Sequence, residues 1–254
     1  KAGDNATVTL RFSEAVVSFS SAADITADNG TLAAMSSADN ITWTGTFTPT
    51  ANTEDASNTL SLATSYTDTA GNAGPAATTE NYAVETLAPT VNSVAISSAS
   101  GVQNSLLNAG DNVSVTATFS ESVIVDNASG TPTLTLVVGS DNRTATYASG
   151  SGSTPLVFQY TIQAGETDAD GISIEANTLA LNSGTIRDAA GNNATITYSA
   201  VSANTSYKVD NTAPSVDNFT LSDTALKAGD NATVTLRFSE AVASFSSSAD
   251  ITAD

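Results

Sequence analysis

Apolar and polar residues alternate with period two through most of this chain. In the first such segment Ala6, Val8, Leu10 and Phe12 share one face, with Thr7, Thr9 and Arg11 on the other. Val113, Val115, Ala117 and Phe119 repeat the pattern later, as do Ile41, Trp43, Gly45 and Phe47, and then Leu156, Phe158, Tyr160 and Ile162. Leu60, Leu62 and Tyr66 fit a further strand. This is the signature of half-buried β-strands. No apolar stripe of helical period persists beyond about one turn. Strands recurring every 8–12 residues, separated by Gly, Asn and Asp turns, predict an all-β chain of antiparallel β-sandwiches of about 100–125 residues each. Trp43 lies on the same face as Ile41 and Phe47, so it reads as core rather than as a platform for stacking sugars.

The chain also repeats itself. Residues 1–28 return as 227–254 with two differences, Val17 against Ala243 and Ala22 against Ser248. A weaker echo, Ala109-Gly110-Asp111-Asn112 through Phe119-Ser120-Glu121, matches Ala2-Gly3-Asp4-Asn5 through Phe12-Ser13-Glu14. The offsets of 107 and then 119 residues sum to the 226-residue period, so one period holds two unequal modules. Two linkers, Leu87-Ala88-Pro89-Thr90-Val91 and Thr212-Ala213-Pro214-Ser215-Val216, set the boundaries. Module one spans 1–87 and lacks the strand corresponding to 215–221. Module two spans 88–211 and is complete. Module three, 212–254, is a beginning only. The expectation is a tandem array of Ig-like β-sandwich modules in extended arrangement, read through a window on a longer chain. Separate subunits completing one another by strand addition form the alternative.

Composition narrows the chemistry. Lys plus Arg number 7 against 26 Asp plus Glu, for a net charge of −19. Such a chain repels phosphate backbones and anionic membranes, which excludes nucleic-acid binding and membrane contact as expected roles. The acids are scattered singly and apolar residues make up 40%, as in folded protein. Cysteine and histidine are absent, which removes disulfides, the usual zinc ligands and most nucleophile–base pairs. An enzyme would have to rest on carboxylates alone. Those acids sit beside turn glycines with no evident cleft, so no enzymatic activity is expected.

Several motifs bear a family resemblance. Phe12-Ser13-Glu14-Ala15-Val16, Gly45-Thr46-Phe47-Thr48-Pro49 and Asp68-Thr69-Ala70-Gly71-Asn72 resemble bacterial Ig-like repeats of giant secreted, RTX-type adhesins. Module two, with Gly130-Thr131-Pro132-Thr133-Leu134 and Asp188-Ala189-Ala190-Gly191-Asn192, is similar to related repeats of very large bacterial surface proteins. The resemblance implies export to the cell surface, an extracellular adhesin or biofilm setting, and rods stiffened by calcium.

Topology suggests where such an ion would sit. If the first strand of a module leaves the linker and the second returns antiparallel, the turn between them lies beside the next linker. The end of the second strand and the Asp-x-Ala-Gly-Asn turn then return to the near pole. The junction of modules one and two should gather Asp4, Glu85, Glu121 and Asp188. That of modules two and three should gather Asp111, Asp210, Asn211 and Glu240. Clustered oxygens of this kind suit Ca2+, which takes six to eight of them. The plainer reading makes these aspartates turn formers, with glycine supplying positive φ. Within module two, Glu166, Asp168 and Asp170 stand at alternate positions before Gly171, like the first half of an EF-hand loop. The twelfth position carries Asn177 in place of the bidentate Glu. Expected partners are neighbouring modules of the same chain, and like chains in a filament.

Overall fold

The computed structural model describes residues 1–252. Its regular secondary structure is almost entirely strand, with two four-residue helices, Ser21–Asp24 and Ser247–Asp250. Among the described residues each sheet draws its strands from within 1–87, 88–211 or 212–252, and none crosses those limits. The architecture is that of Ig-like antiparallel β-sandwiches.

Module two shows how the alternation becomes a core. Its opening strand, Val91–Ser100, pairs antiparallel with Asn112–Asp126, which pairs in turn with Ser153–Thr161. The sheet continues through Asp141–Ser149 and Thr133–Val138 to Ser173–Ile174. Asn112–Asp126 is 15 residues long, and a register shift between Thr118 and Val123 lets its far end pair with Thr185–Arg187. One strand therefore pairs with three others. The closing strand, Lys208–Asp210, runs parallel to Leu106–Leu107 and antiparallel to Thr167–Asp168 in a second sheet. Between the layers Val113, Val115, Ala117 and Phe119 are at most 1% exposed, and Leu134, Leu136, Leu156 and Phe158 are fully buried with them. The faces predicted for Asn112–Asp126 and Ser153–Thr161 are the faces observed.

Module one follows the same plan from its second strand onward. Ala6–Arg11 pairs with Thr42–Pro49, which pairs with Gly30–Leu32; among the described residues the other edge of Ala6–Arg11 carries no strand. Val8, Leu10 and Phe12, counterparts of Val115, Ala117 and Phe119, are only half-buried, and Ala6 is exposed. The core reduces to Val16, Phe19, Met35, Leu62 and Tyr66, with Trp43 packed against it edge-to-face on Phe19 at 4.9 Å. Trp43 thus packs on the core as the alternation indicates, half-buried, with its Nε1–H buried and unpartnered. The strand predicted through Tyr66 ends at Leu62. Tyr66 is instead buried from the following turn, where its hydroxyl donates to Pro75 O at 2.8 Å.

In the third segment Val216–Leu221 pairs with Val234–Phe238 and both strands are largely exposed. The unequal closure of the cores has a thermal consequence. Calorimetry of the chain is expected to show two transitions, the upper belonging to module two. Leu136→Ala should lower only the upper one, at a cost of about 2–5 kcal/mol for a buried leucine; a single transition lowered as a whole would contradict independent cores.

Candidate functional site at the module junctions

The linker residues are fixed by the module they leave. After Tyr82–Glu85, Thr86 is buried: its Oγ donates to Thr50 O at 2.7 Å and accepts Thr53 N–H at 3.0 Å. The loop that receives it turns through Asn52, whose φ is 54°. Module two repeats the device with Asn211 in the place of Thr86. The Asn211 amide donates to Gln163 O at 3.1 Å and Glu166 O at 2.8 Å, and Gly165, φ 84°, stands where Asn52 stood. Asparagine can also accept. Its Oδ1 takes the N–H of Ala109 at 2.6 Å, tying the first turn of module two to its own exit linker.

Threonine has no such second arm, and in module one the equivalent N–H, that of Ala2, is taken by the neighbour. It donates to Oδ1 of Asn192, in the Asp-Ala-Ala-Gly-Asn turn of module two, at 2.7 Å. The Asn192 Nδ2 group donates to Asp188 Oδ2 at 2.7 Å and to the linker carbonyl of Glu85 at 3.3 Å. Its backbone N–H donates to Asp188 Oδ1 at 2.8 Å, and both residues are at most 4% exposed. One buried side chain therefore joins module two, the linker and the far turn of module one. The matching ring in module one, Asp68 with Asn72, has the same internal bonds, but Asp68 is only half-buried and Asn72 is exposed. Those amide donors hold the Asp68 carboxyl below its ordinary range.

The predicted acids divide as follows. Burial pushes the Glu121 carboxyl up, and the like charges of Asp188, Glu85 and Glu54 push it further. Glu54, which the sequence reading had not named, adds its charge because it stands opposite Glu85 across the strand pair. Asp4 is exposed, with its carboxylate 3.6 Å from the amino group of Lys1. At the second junction Asp111 Oδ2 accepts Asn108 N–H, and Asp210 Oδ1 accepts Thr212 N–H, both at 2.9 Å. Asp111 also packs against Gly101 so closely that a Cβ there would fall 1.7 Å from Oδ1. Glu240 is half-buried with Oε1 buried and unpartnered. Among the described residues no three acidic side chains converge on a point that could hold an ion. The first junction matches a cation in charge but not in convergence.

The EF-hand-like spacing in module two has another use. Glu166, 6% exposed, is neutralised by Arg143, receives the Tyr160 hydroxyl, and accepts Gln163 N–H at 2.8 Å. Burial and that carboxylate raise the Tyr160 hydroxyl well above its usual pKa. Asp168, 3% exposed, accepts Gly139 N–H at 2.8 Å and Gly171 N–H at 2.6 Å, and Asp170 is exposed. The two buried carboxylates are turned to separate partners rather than to a common centre. Arg143 and Asn192 were both missed from sequence: a lone arginine and a turn asparagine carry no spacing signal.

A family described as a bacterial Ig-like domain matches residues 1–84 and 210–254. The chain belongs to the bacterial Ig-like domain family. The match omits residues 85–209, where the larger Ig-like module nonetheless builds the more complete sandwich. No curated protein and no solved structure matches the chain.

The crowding at Glu121 makes a pH prediction. With its folded pKa raised, the proton on Glu121 stabilises the fold at low pH, and this contribution is lost as pH rises through the folded value. Glu121→Gln should therefore raise the melting temperature at neutral pH by about 1–2 °C without added divalent cation. The gain should vanish as pH falls into the carboxylate range; a gain independent of pH would mean that charge crowding is not its source.

Proposed function

We propose that the chain is part of a structural spacer of a large extracellular bacterial protein, a stalk or filament segment that holds an adhesive region away from the cell. The observation that carries this reading is the Asn192 clasp, because one buried amide spans two modules and the linker between them. A chain of freely hinged beads has no use for such a joint. Near-identity of 1–28 and 227–254 supports the same reading, since interchangeable units add length without adding a unique surface. The bacterial Ig-like family is a non-catalytic fold family, and no catalysis is assigned to the modules. No helix among the described residues is long and apolar enough to cross a membrane.

Calcium at the junctions is the second part of the proposal. Glu121 is crowded by three like charges, and a divalent cation is the simplest counterion. Glu85, Glu121 and Asp188 would hold it at the first junction; Asp111, Asp210, Asn211 and Glu240 are the candidates at the second. With fewer than three carboxylates converging, carbonyl oxygens and water would have to complete the coordination. The competing reading, in which each module binds a sugar or a host protein, would be favoured by an apolar patch repeated along one side. Within modules one and two the exposed large apolar side chains Val17, Leu87, Val102, Leu106 and Ile124 are scattered.

A Ca2+ titration followed by calorimetry, with EDTA as control, tests the ion. A rise in melting temperature that saturates, is reversed by EDTA and is abolished in Glu121→Gln is expected. An unchanged melting curve would leave the asparagine clasp as the whole of the joint.

A further inference from the structure

Asn29-Gly30 is the one Asn-Gly step in the chain. Ile25–Ala27 pairs with Leu60–Leu62 and Gly30–Leu32 with Thr42–Pro49, so Asp28 and Asn29 carry the chain from one sheet of module one to another. That corner dictates both residues of the step. Asn29 has a φ of 47°, in the left-handed region that asparagine tolerates and branched residues do not. A Cβ on Gly30 would fall 2.1 Å from Cζ of Phe47, whose ring is buried. The fold therefore keeps a chemically labile dipeptide. Glycine has no side chain to hinder attack of its backbone nitrogen on the Cγ of the asparagine before it.

The asparagine amide is restrained. Its Nδ2 group donates to Asp55 Oδ2 at 2.8 Å and to Asn58 Oδ1 at 2.6 Å. Both acceptors are themselves fixed. Asp55 Oδ1 accepts Ser57 N–H at 2.9 Å. Asn58, 1% exposed, donates its own Nδ2 to Asp55 O at 2.9 Å and to Tyr82 O at 3.0 Å, which leaves its Oδ1 for Asn29. The nitrogen that would attack is not held in this way. Thr50 N–H donates to Asn29 O and Ala33 N–H to Thr46 O, which sets the alternation of ladder bonds and turns the Gly30 N–H away from Thr42–Pro49. Module two gives the contrast. Its Asp170-Gly171 step is prone to the same cyclisation, but there the Gly171 N–H is tied to Asp168 Oδ1 at 2.6 Å.

We propose that Asn29 is a site of spontaneous deamidation, held in check by the clamp of Asp55 and Asn58 and released when that clamp opens. The Gly30 nitrogen gives up its proton and bonds to Asn29 Cγ; the Cγ–Nδ2 bond breaks, and the amide nitrogen takes that proton and leaves as ammonia. Water then opens the five-membered succinimide at either carbonyl, giving aspartate or isoaspartate with no change of oxidation state. The conversion runs one way. A carboxylate at position 29 has no hydrogen to give Asp55 or Asn58, and it adds a like charge beside Asp28 and Asp55. The isoaspartate product also lengthens the backbone by one atom, at the residue whose carbonyl accepts Thr50 N–H. Opening of this corner thus leaves a covalent mark on module one. The inference depends neither on the spacer reading nor on calcium.

Peptide mapping by mass spectrometry of the whole chain, held at mildly alkaline pH, reads the reaction, with an isoaspartyl methyltransferase assay for the branched product. Conversion at Asn29 should be slow in the folded chain and fast in the same chain unfolded in urea. Asp55→Ala should speed the folded reaction about tenfold, through loss of a hydrogen bond to a charged acceptor. Asp55→Asn, which keeps an acceptor oxygen, should restore most of the protection. Leu62→Ala loosens the core of module one without touching the clamp, and at matched melting temperature it should react more slowly than Asp55→Ala. The product mimic Asn29→Asp should lower the lower melting transition by several degrees. Equal rates in folded and unfolded chains would overturn the proposal, as would an Asp55→Ala chain no faster than the parent or than Leu62→Ala. So would an unfolded chain that does not convert at Asn29, or an Asn29→Asp chain that melts like the parent.

Discussion

Each module depends on one antiparallel edge: the opening strand laid against the strand that follows it. In module two that pairing closes the sandwich over Val113, Val115, Ala117 and Phe119 and leaves them essentially dry. In module one, described from its second strand onward, the same positions are half-buried or exposed. Since apolar burial contributes about 25 cal/mol per Å² removed from water, a strand presenting three apolar side chains decides how well its module is closed. The same strand also begins directly after the linker. Its path fixes which turns face the next module, so closure of the core and composition of the joint share one cause.

The joints show how small chemical differences at equivalent positions make different connections. Thr86 and Asn211 occupy the same place after the penultimate loop, and both are held by carbonyls of that loop. Asparagine has an acceptor to spare and uses it on its own module's first turn. Threonine leaves that N–H for Asn192 of the neighbour. The two linkers therefore make two kinds of joint, one clasped across modules and one in which the linker is bound to the module it leaves. Burying Asp188 and Asn192 together is tolerable because the pair satisfies itself, two donors to two oxygens, before reaching outward.

The period-two alternation made most of the fold legible, because a half-buried strand must segregate its side chains whatever the rest of the molecule does. The spacing of Ala2-Gly3-Asp4-Asn5 and Ala109-Gly110-Asp111-Asn112 set the expectation of unequal modules, and no sheet among the described residues crosses their limits. Simple topology set the first turn of module two beside its linker, where the Ala109 N–H donates to Asn211. What sequence did not reveal is how the acids are compensated. Alternating Glu166, Asp168 and Asp170 look like ligands until Arg143 and two backbone amides are seen to occupy the buried pair. Asn192 reads as a turn former, which it is; its second role depends on a neighbour 190 residues away in sequence. Tyr66 was assigned to a strand because its apolar ring obeys the alternation, but its hydroxyl needed an acceptor, and Pro75 O in the next turn provided one.

The central claim is that the first junction is a stiff joint held by Asn192. Absence of cysteine makes it directly measurable, because two introduced cysteines at exposed Thr31 and Ser140 would be the only spin-label sites. The distance distribution between them by pulsed dipolar spectroscopy should be a single narrow peak that broadens in Asn192→Ala. A broad distribution in the unaltered junction, unchanged by that substitution, would contradict the account.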